Sequence, residues 1–140
     1  MSKELAYQIA NRAFNNKTDK AGRPYFEHLI RVSNNFKEHK ELFQISILHD
    51  LLEDCLEWNE DSLRHLFDKN IVDTIVILTK NKDEKYFDYI DRIRESHWAT
   101  QVKIQDLKDN MDITRLPFLT DADFKRLDKY LKAYKILTES

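Results

Sequence analysis

One glycine and two prolines among 140 residues constrain the fold more tightly than any other feature of the chain. Tight turns draw on Gly and Pro, and an ordinary globular sequence carries several times as many of each. Gly22, Pro24 and Pro117 leave long stretches uninterrupted, and in those stretches apolar residues recur at the spacing of a helix. The expected class is all-α, with a single domain over residues 1–140 built as a bundle of about seven to eight helices. A hydrophobic fraction of 41% is enough for one core at this length. No internal repeat or low-complexity segment is visible.

The stretch 45–56, which reads Ile-Ser-Ile-Leu-His-Asp-Leu-Leu-Glu-Asp-Cys-Leu, is where charge enters the apolar pattern. As part of one helix over about 42–56, it stacks His49 over Glu53 and Asp50 over Asp54. Ile45, Ile47, Leu48, Leu51, Leu52 and Leu56 then cover the remaining surface. A helix apolar on most sides is expected to be buried, and ions buried there without partners are costly. Something positive must face the charged stripe. A divalent metal is the economical choice, because imidazole nitrogen and carboxylate oxygen suit Mn, Fe, Ni, Co or Zn. The alternative is a hydrogen-bonded core histidine beside an acidic stripe capped by Lys or Arg.

The same periodicity predicts a helix over 3–16, then a cation-rich loop over 17–24 that holds the only glycine. A second helix over 25–39 turns Phe26, Leu29, Ile30 and Val32 inward and Arg31 outward, with His28 in its first turn. Asn59 reads as the cap of a short helix, and 71–78 as helix despite its β-branched residues. Phe87, Ile90 and Ile93 space like a buried stripe. A helix over 98–115 sets Asp106 among Val102, Ile104 and Leu107 and is ended by Pro117. Thr120 and Asp123 match a capping box, opening a structural helix that packs through Phe124, Leu127, Leu131, Tyr134 and Leu137.

A net charge of −2 provides no global field for polymeric nucleic acid or a membrane surface, and no stretch approaches the ~18 apolar residues of a membrane span. Cys55, the single cysteine, reads as a buried thiol in a reducing compartment, with a cytoplasmic location expected.

His28, His49, Asp50 and Asp106 together can supply a four-ligand shell of nitrogen and oxygen from three separate helices. Adjacent His49 and Asp50 diverge by about 100° around a helix, so they share an ion only if it lies over the groove between them. Glu53 and Asp54, one turn further on, are placed to hold and deprotonate a water there.

In this order the residues resemble the HD-domain metal-dependent phosphohydrolases, whose signature is a distant His, an adjacent His-Asp pair and a distant Asp on an all-α scaffold. Pro24-Tyr25-Phe26-Glu27-His28, Leu48-His49-Asp50-Leu51-Leu52-Glu53-Asp54, Leu78-Thr79-Lys80 and Val102-Lys103-Ile104-Gln105-Asp106 are similar to the (p)ppGpp hydrolase domain of the stringent-response alarmone enzymes and their small stand-alone relatives. The resemblance implies an HD-type bundle in which His28, His49, Asp50 and Asp106 bind a divalent metal. Manganese is the first candidate, with Fe, Ni, Co and Zn as alternatives. It makes Glu53 and Asp54 the water-activating pair and Lys103 and Asn110 substrate contacts; Lys20, in the cationic loop, joins them as a candidate phosphate contact.

The implied activity is hydrolysis of a phosphate or pyrophosphate ester on a small phosphorylated nucleotide, with the 3′-pyrophosphate of (p)ppGpp the first substrate to try. The alternatives are an HD-type nucleotidase or phosphomonoesterase with a different substrate, and a metal-containing nucleotide-binding module without turnover. Asp19 stands where the alarmone hydrolases carry an arginine that packs on guanine. The segment Leu107-Lys108-Asp109-Asn110 also departs from their basic, aliphatic and His or Tyr residues before the Asn.

Overall fold

A computed structural model describes residues 2–139. Met1 and Ser140, the ends of the expected domain, lie outside the described residues. In chain order the helices are α1 (Ser2–Ala13), α2 (Phe26–Ser33), α3 (Lys40–Leu48), α4 (Leu51–Asp54), α5 (Glu60–Arg64), α6 (Lys69–Leu78), α7 (Tyr86–Arg94), α8 (His97–Asn110) and α9 (Asp121–Thr138). Short 3₁₀ turns follow α2 at Asn34–Phe36 and α8 at Ile113–Arg115. Among the described residues no strand forms; an isolated bridge between Thr18 and Pro24 closes the loop before α2. Gly22, at φ +80°, makes the turn of that loop in the left-handed region that a side chain disfavours.

Helix α3 is the hub, in contact with α1, α2, α6 and α8. Leu42, Ile45, Ile47 and Leu48 are all buried, as are Gln44 and Ser46 between them. Ser46 Oγ donates to the Phe43 carbonyl and Gln44 Nε2 to that of Lys40, while the buried Gln44 Oε1 has no hydrogen-bond partner among the described residues. Around α3, α1 contributes Ala6 and Ala10, α6 contributes Ile71, Val72 and Ile75, and α8 contributes Ala99 and Val102. Cys55 is buried, as expected.

Several expected boundaries move. The central helix is broken after Leu48, which sets α4 apart as a separate single turn. Past the break Leu51 and Cys55 stay buried, and the chain leaves the core only after Cys55, so Leu56 is 100% exposed instead of covering an apolar face. The first helix stops at Ala13, and the helix expected through 115 stops at Asn110, ahead of Pro117. Phe87 is largely exposed while Ile90 and Ile93 are buried.

The packing face of α9 is also rotated from expectation. Phe124 and Leu131 face solvent, while Ala133 and Leu137 are buried and Tyr130 and Tyr134 pack partly against the core. Tyr134 and Leu137 pack inward as expected and Leu127 is half-buried, and because α9 rests on α7 and α8 together the stripe shifts to exclude Phe124 and Leu131. The caps hold as read: Asn59 accepts the Ser62 N–H, and Thr120 and Asp123 form the reciprocal capping box. No helix among the described residues is long and apolar enough to cross a membrane.

Candidate metal centre

The break between α3 and α4 shapes the site. Asp50 sits at φ −97°, ψ 0°, the bridge region between helix and strand. His49 and Asp50 therefore lie at a junction rather than inside one helix. His49 is 2% exposed, and its Nδ1 lies 2.5 Å from the Ser46 carbonyl. A carbonyl only accepts, so Nδ1 carries the proton and Nε2 is turned toward Asp106 Oδ1 at 3.2 Å and Asp50 Oδ2 at 3.3 Å.

From α2, His28 brings Nε2 to 2.8 Å from the same Asp106 oxygen and 3.9 Å from Asp50 Oδ2. One donor atom from each of His28, His49, Asp50 and Asp106 lies within 4.8 Å of the others. Ligands about 2.1 Å from one ion are separated by roughly 3–4 Å, so small side-chain adjustments close the shell. The donor set is hard to mixed, with two imidazoles and two carboxylates, and suits a divalent first-row ion.

Each ligand is held from behind. His28 Nδ1 donates to Asp109 Oδ2 at 2.6 Å, and Asp109 is fixed in turn by Arg31, whose Nε reaches Oδ1 at 2.7 Å. Arg31, expected to point outward, is turned in by this pair. Tyr25 Oη donates to Asp50 Oδ2 at 2.5 Å. Asp106 accepts from Lys103 Nζ at 2.8 Å and from Asn110 Nδ2 at 3.3 Å.

The electrostatics follow from these contacts. Burial opposes charge on His28, yet hydrogen bonds to Asp106 and Asp109 overcome it and raise the imidazole to about 10. Burial likewise opposes the charges of Lys103 and Asp106, but their mutual attraction, reinforced at Asp106 by the histidines, keeps the lysine protonated and the carboxylate ionised.

Glu53 and Asp54 lie on α4, directly after Asp50. Both remain exposed to solvent, yet the surrounding protein desolvates them enough to raise their proton affinity, and the charge of Asp50 adds to it. Glu53 Oε1 also accepts the Lys80 N–H at 2.5 Å, which ties α4 to the end of α6 and partly offsets the rise.

Beside the donors a cavity of ≈ 360 Å³ opens between the 18–21 loop, α2, the end of α8, the following 3₁₀ turn and α9. His28, Tyr25 and Asn110 belong to its wall, so it abuts the four-donor group. Lys20 and Asn110 line it as candidate contacts, whereas Lys103 does not and is committed to Asp106. Helix α9, expected to be structural only, supplies Arg126, Leu127 and Tyr130 to the wall. Asp109 and Arg31 were not singled out from sequence. Their signal is spacing, each lying three residues after a ligand, Asp106 or His28, and so on the same helix face.

No family model and no curated protein matches the chain. Among solved structures, a metazoan ortholog of SpoT that hydrolyzes ppGpp and plays a role in starvation responses superimposes with a TM-score of 0.80. The chain has that protein's fold. The match covers 99% of this chain and 86% of the other at 18% identity, and it agrees with the all-α, HD-type bundle expected from the sequence. In this setting the four donors converge from α2, the α3–α4 junction and α8.

Proposed function

We propose that the chain is a metal-dependent phosphohydrolase acting on a small phosphorylated nucleotide, with residues 1–140 forming one HD-type domain. The observation that carries the reading is the convergence of His28, His49, Asp50 and Asp106 within 4.8 Å beside a cavity of ≈ 360 Å³. That volume lies in the range of small-molecule sites. A divalent ion, manganese first, supplies Lewis acidity when bound, lowering the pKa of a water and neutralising phosphoryl charge.

The chain's own residues do the rest. His28 and His49 present Nε2 because Asp109 and the Ser46 carbonyl hold their other nitrogens. Glu53 and Asp54 take the attacking water's proton, and the proton affinity that desolvation raises in both makes them stronger bases for that role. Lys20 and Asn110 contact the substrate from the cavity wall. Lys103 acts through Asp106, balancing its charge. The solved neighbour's action on ppGpp supports a pyrophosphate ester as a reference substrate, and the buried free thiol of Cys55 fits a cytosolic setting.

The test is phosphate release from a nucleotide panel by protein stripped of metal and reloaded with Mn²⁺. Glu53→Gln and Asp54→Asn are each expected to lose about 10²- to 10⁴-fold in kcat while keeping the metal. His49→Ala is expected to lose both metal and turnover. Equal turnover with and without metal would rule the proposal out.

A further inference from the structure

We infer that the substrate carries one phosphate group, held at the metal donors, and presents an uncharged nucleoside to the cavity: a nucleoside monophosphate rather than a nucleotide with a second pyrophosphate. This deepens the phosphohydrolase reading above and rests on it. The argument is the charge balance of the cavity wall. Apart from His28, it contains four cationic side chains, Lys20, Arg31, Arg115 and Arg126, and four carboxylates, Asp19, Asp109, Asp112 and Asp123.

The cations are not waiting for a ligand. Arg31 grips Asp109 in bidentate fashion, at 2.7 and 3.1 Å. Arg115 is paired with Asp112 at 3.0 Å and donates to the Asp109 carbonyl at 2.9 Å. Arg126 is paired with Asp123. Only Lys20 lacks a carboxylate at ion-pair distance among the described residues, and it acts on Asp123 through its longer-range field. Asp19 spends one oxygen on the backbone N–H groups of Ala21 and Arg23 and adds its negative charge to the wall.

A cavity whose charges cancel pairwise gives a polyanion no net attraction, and all of these groups lie within about a Debye length of any occupant. Binding a second pyrophosphate there would require pulling an arginine off its carboxylate, leaving that carboxylate to repel the newcomer. An uncharged ring system meets no such cost. Tyr130, Leu116 and Leu127 offer it apolar surface, and the wall carboxylates can accept hydrogen bonds from ring amino groups. Lys20 alone suffices for one anionic oxygen.

At the metal end Lys103 is paired with Asp106 at 2.8 Å. The reaction consumes one water. Its oxygen bonds to phosphorus as the ester P–O bond breaks, one proton passes to Glu53 or Asp54 and on to the leaving hydroxyl, and the products are orthophosphate and a nucleoside.

The experiment compares kcat/KM of the Mn²⁺-loaded protein for 5′- and 3′-nucleoside monophosphates and for guanosine tetraphosphate at fixed salt. Calorimetric binding of the same nucleotides to the Glu53→Gln variant provides a readout independent of turnover. At least one monophosphate is expected to exceed the tetraphosphate by about tenfold or more in both measurements. Asp112→Asn, which removes the nearer carboxylate of Arg115 and leaves it Asp109 Oδ2 at 3.5 Å, is expected to lower the tetraphosphate Kd several-fold and to change the monophosphate Kd less. Tetraphosphate used and bound as well as every monophosphate would overturn this inference and leave the phosphohydrolase reading standing. Neither class hydrolysed nor bound by metal-loaded protein would overturn both.

Discussion

The buried carboxylate of Asp106 is shared between its ion pair with Lys103 and the four-donor group. The Lys103 and Asp106 side chains retain only 12% and 5% of their surface in solvent. Removing one member of such a pair typically costs ~3–5 kcal/mol; with two imidazoles still beside Asp106, Lys103→Met is expected to cost roughly half that. Thermal melts should show the loss in metal-free protein and a smaller gap to wild type after Mn²⁺ is added, because the ion takes over neutralising Asp106. A gap that does not narrow would contradict this picture. Asp109 is the second informative residue. Asp109→Ala removes the acceptor that holds the His28 ring, and titration calorimetry should show metal affinity down about 10–100-fold with the circular dichroism spectrum unchanged. The four donors were legible because each is a polar residue set into an apolar helical pattern. Asp109 and Arg31 were not, because among many surface charges a spacing of three residues carries little weight until the partner helix is known.

At the scale of elements, the largest departure from the sequence reading is the α3–α4 break. Helical periodicity runs unbroken through 45–56, and no Gly or Pro marks the junction. The backbone turns at Asp50 instead, where Tyr25 and the two histidines meet its carboxylate, so tertiary contacts override local propensity. Helix caps were legible because their chemistry is local, as Thr120 and Asp123 show. Thr120→Ala should lower stability by ~1 kcal/mol in chemical denaturation.

A second element-scale device is Arg92 on α7. It donates to the Ile77 and Thr79 carbonyls at the end of α6 and pairs with Glu84, steadying the segment whose Lys80 N–H holds Glu53. Hydrogen bonds from Arg92 lower the Glu84 carboxyl from its ordinary value of 4.5 to about 2. A group depressed in the folded state stabilises fully above its unfolded value and loses that contribution as pH falls through the folded one. The melting-temperature gap between wild type and Glu84→Gln should therefore be present near neutral pH and close between 4.5 and about 2. It should be modest, because the pair is partly solvated. A gap that widens on acidification would contradict the assignment.

At the scale of the whole molecule, scarcity of Gly and Pro was enough for the class, and the polar residues in apolar helices were enough for the donor set. The cavity was not legible. Its wall is assembled from the 18–21 loop, α2, the end of α8 and α9, and no periodicity within one segment reports which distant arginine meets which aspartate. Those pairings set the charge balance of the cavity wall, which only the tertiary structure displays. The proposed hydrolase rests on one divalent ion binding where α2, the α3–α4 junction and α8 meet. The most direct measurement is a calorimetric titration of chelator-stripped protein with Mn²⁺, run beside Asp106→Ala checked for intact helicity. The expected result is a single ion per chain at the group of His28, His49, Asp50 and Asp106, and no binding in the variant; no binding by wild type, or the same titration in both, would contradict a metal centre at these residues.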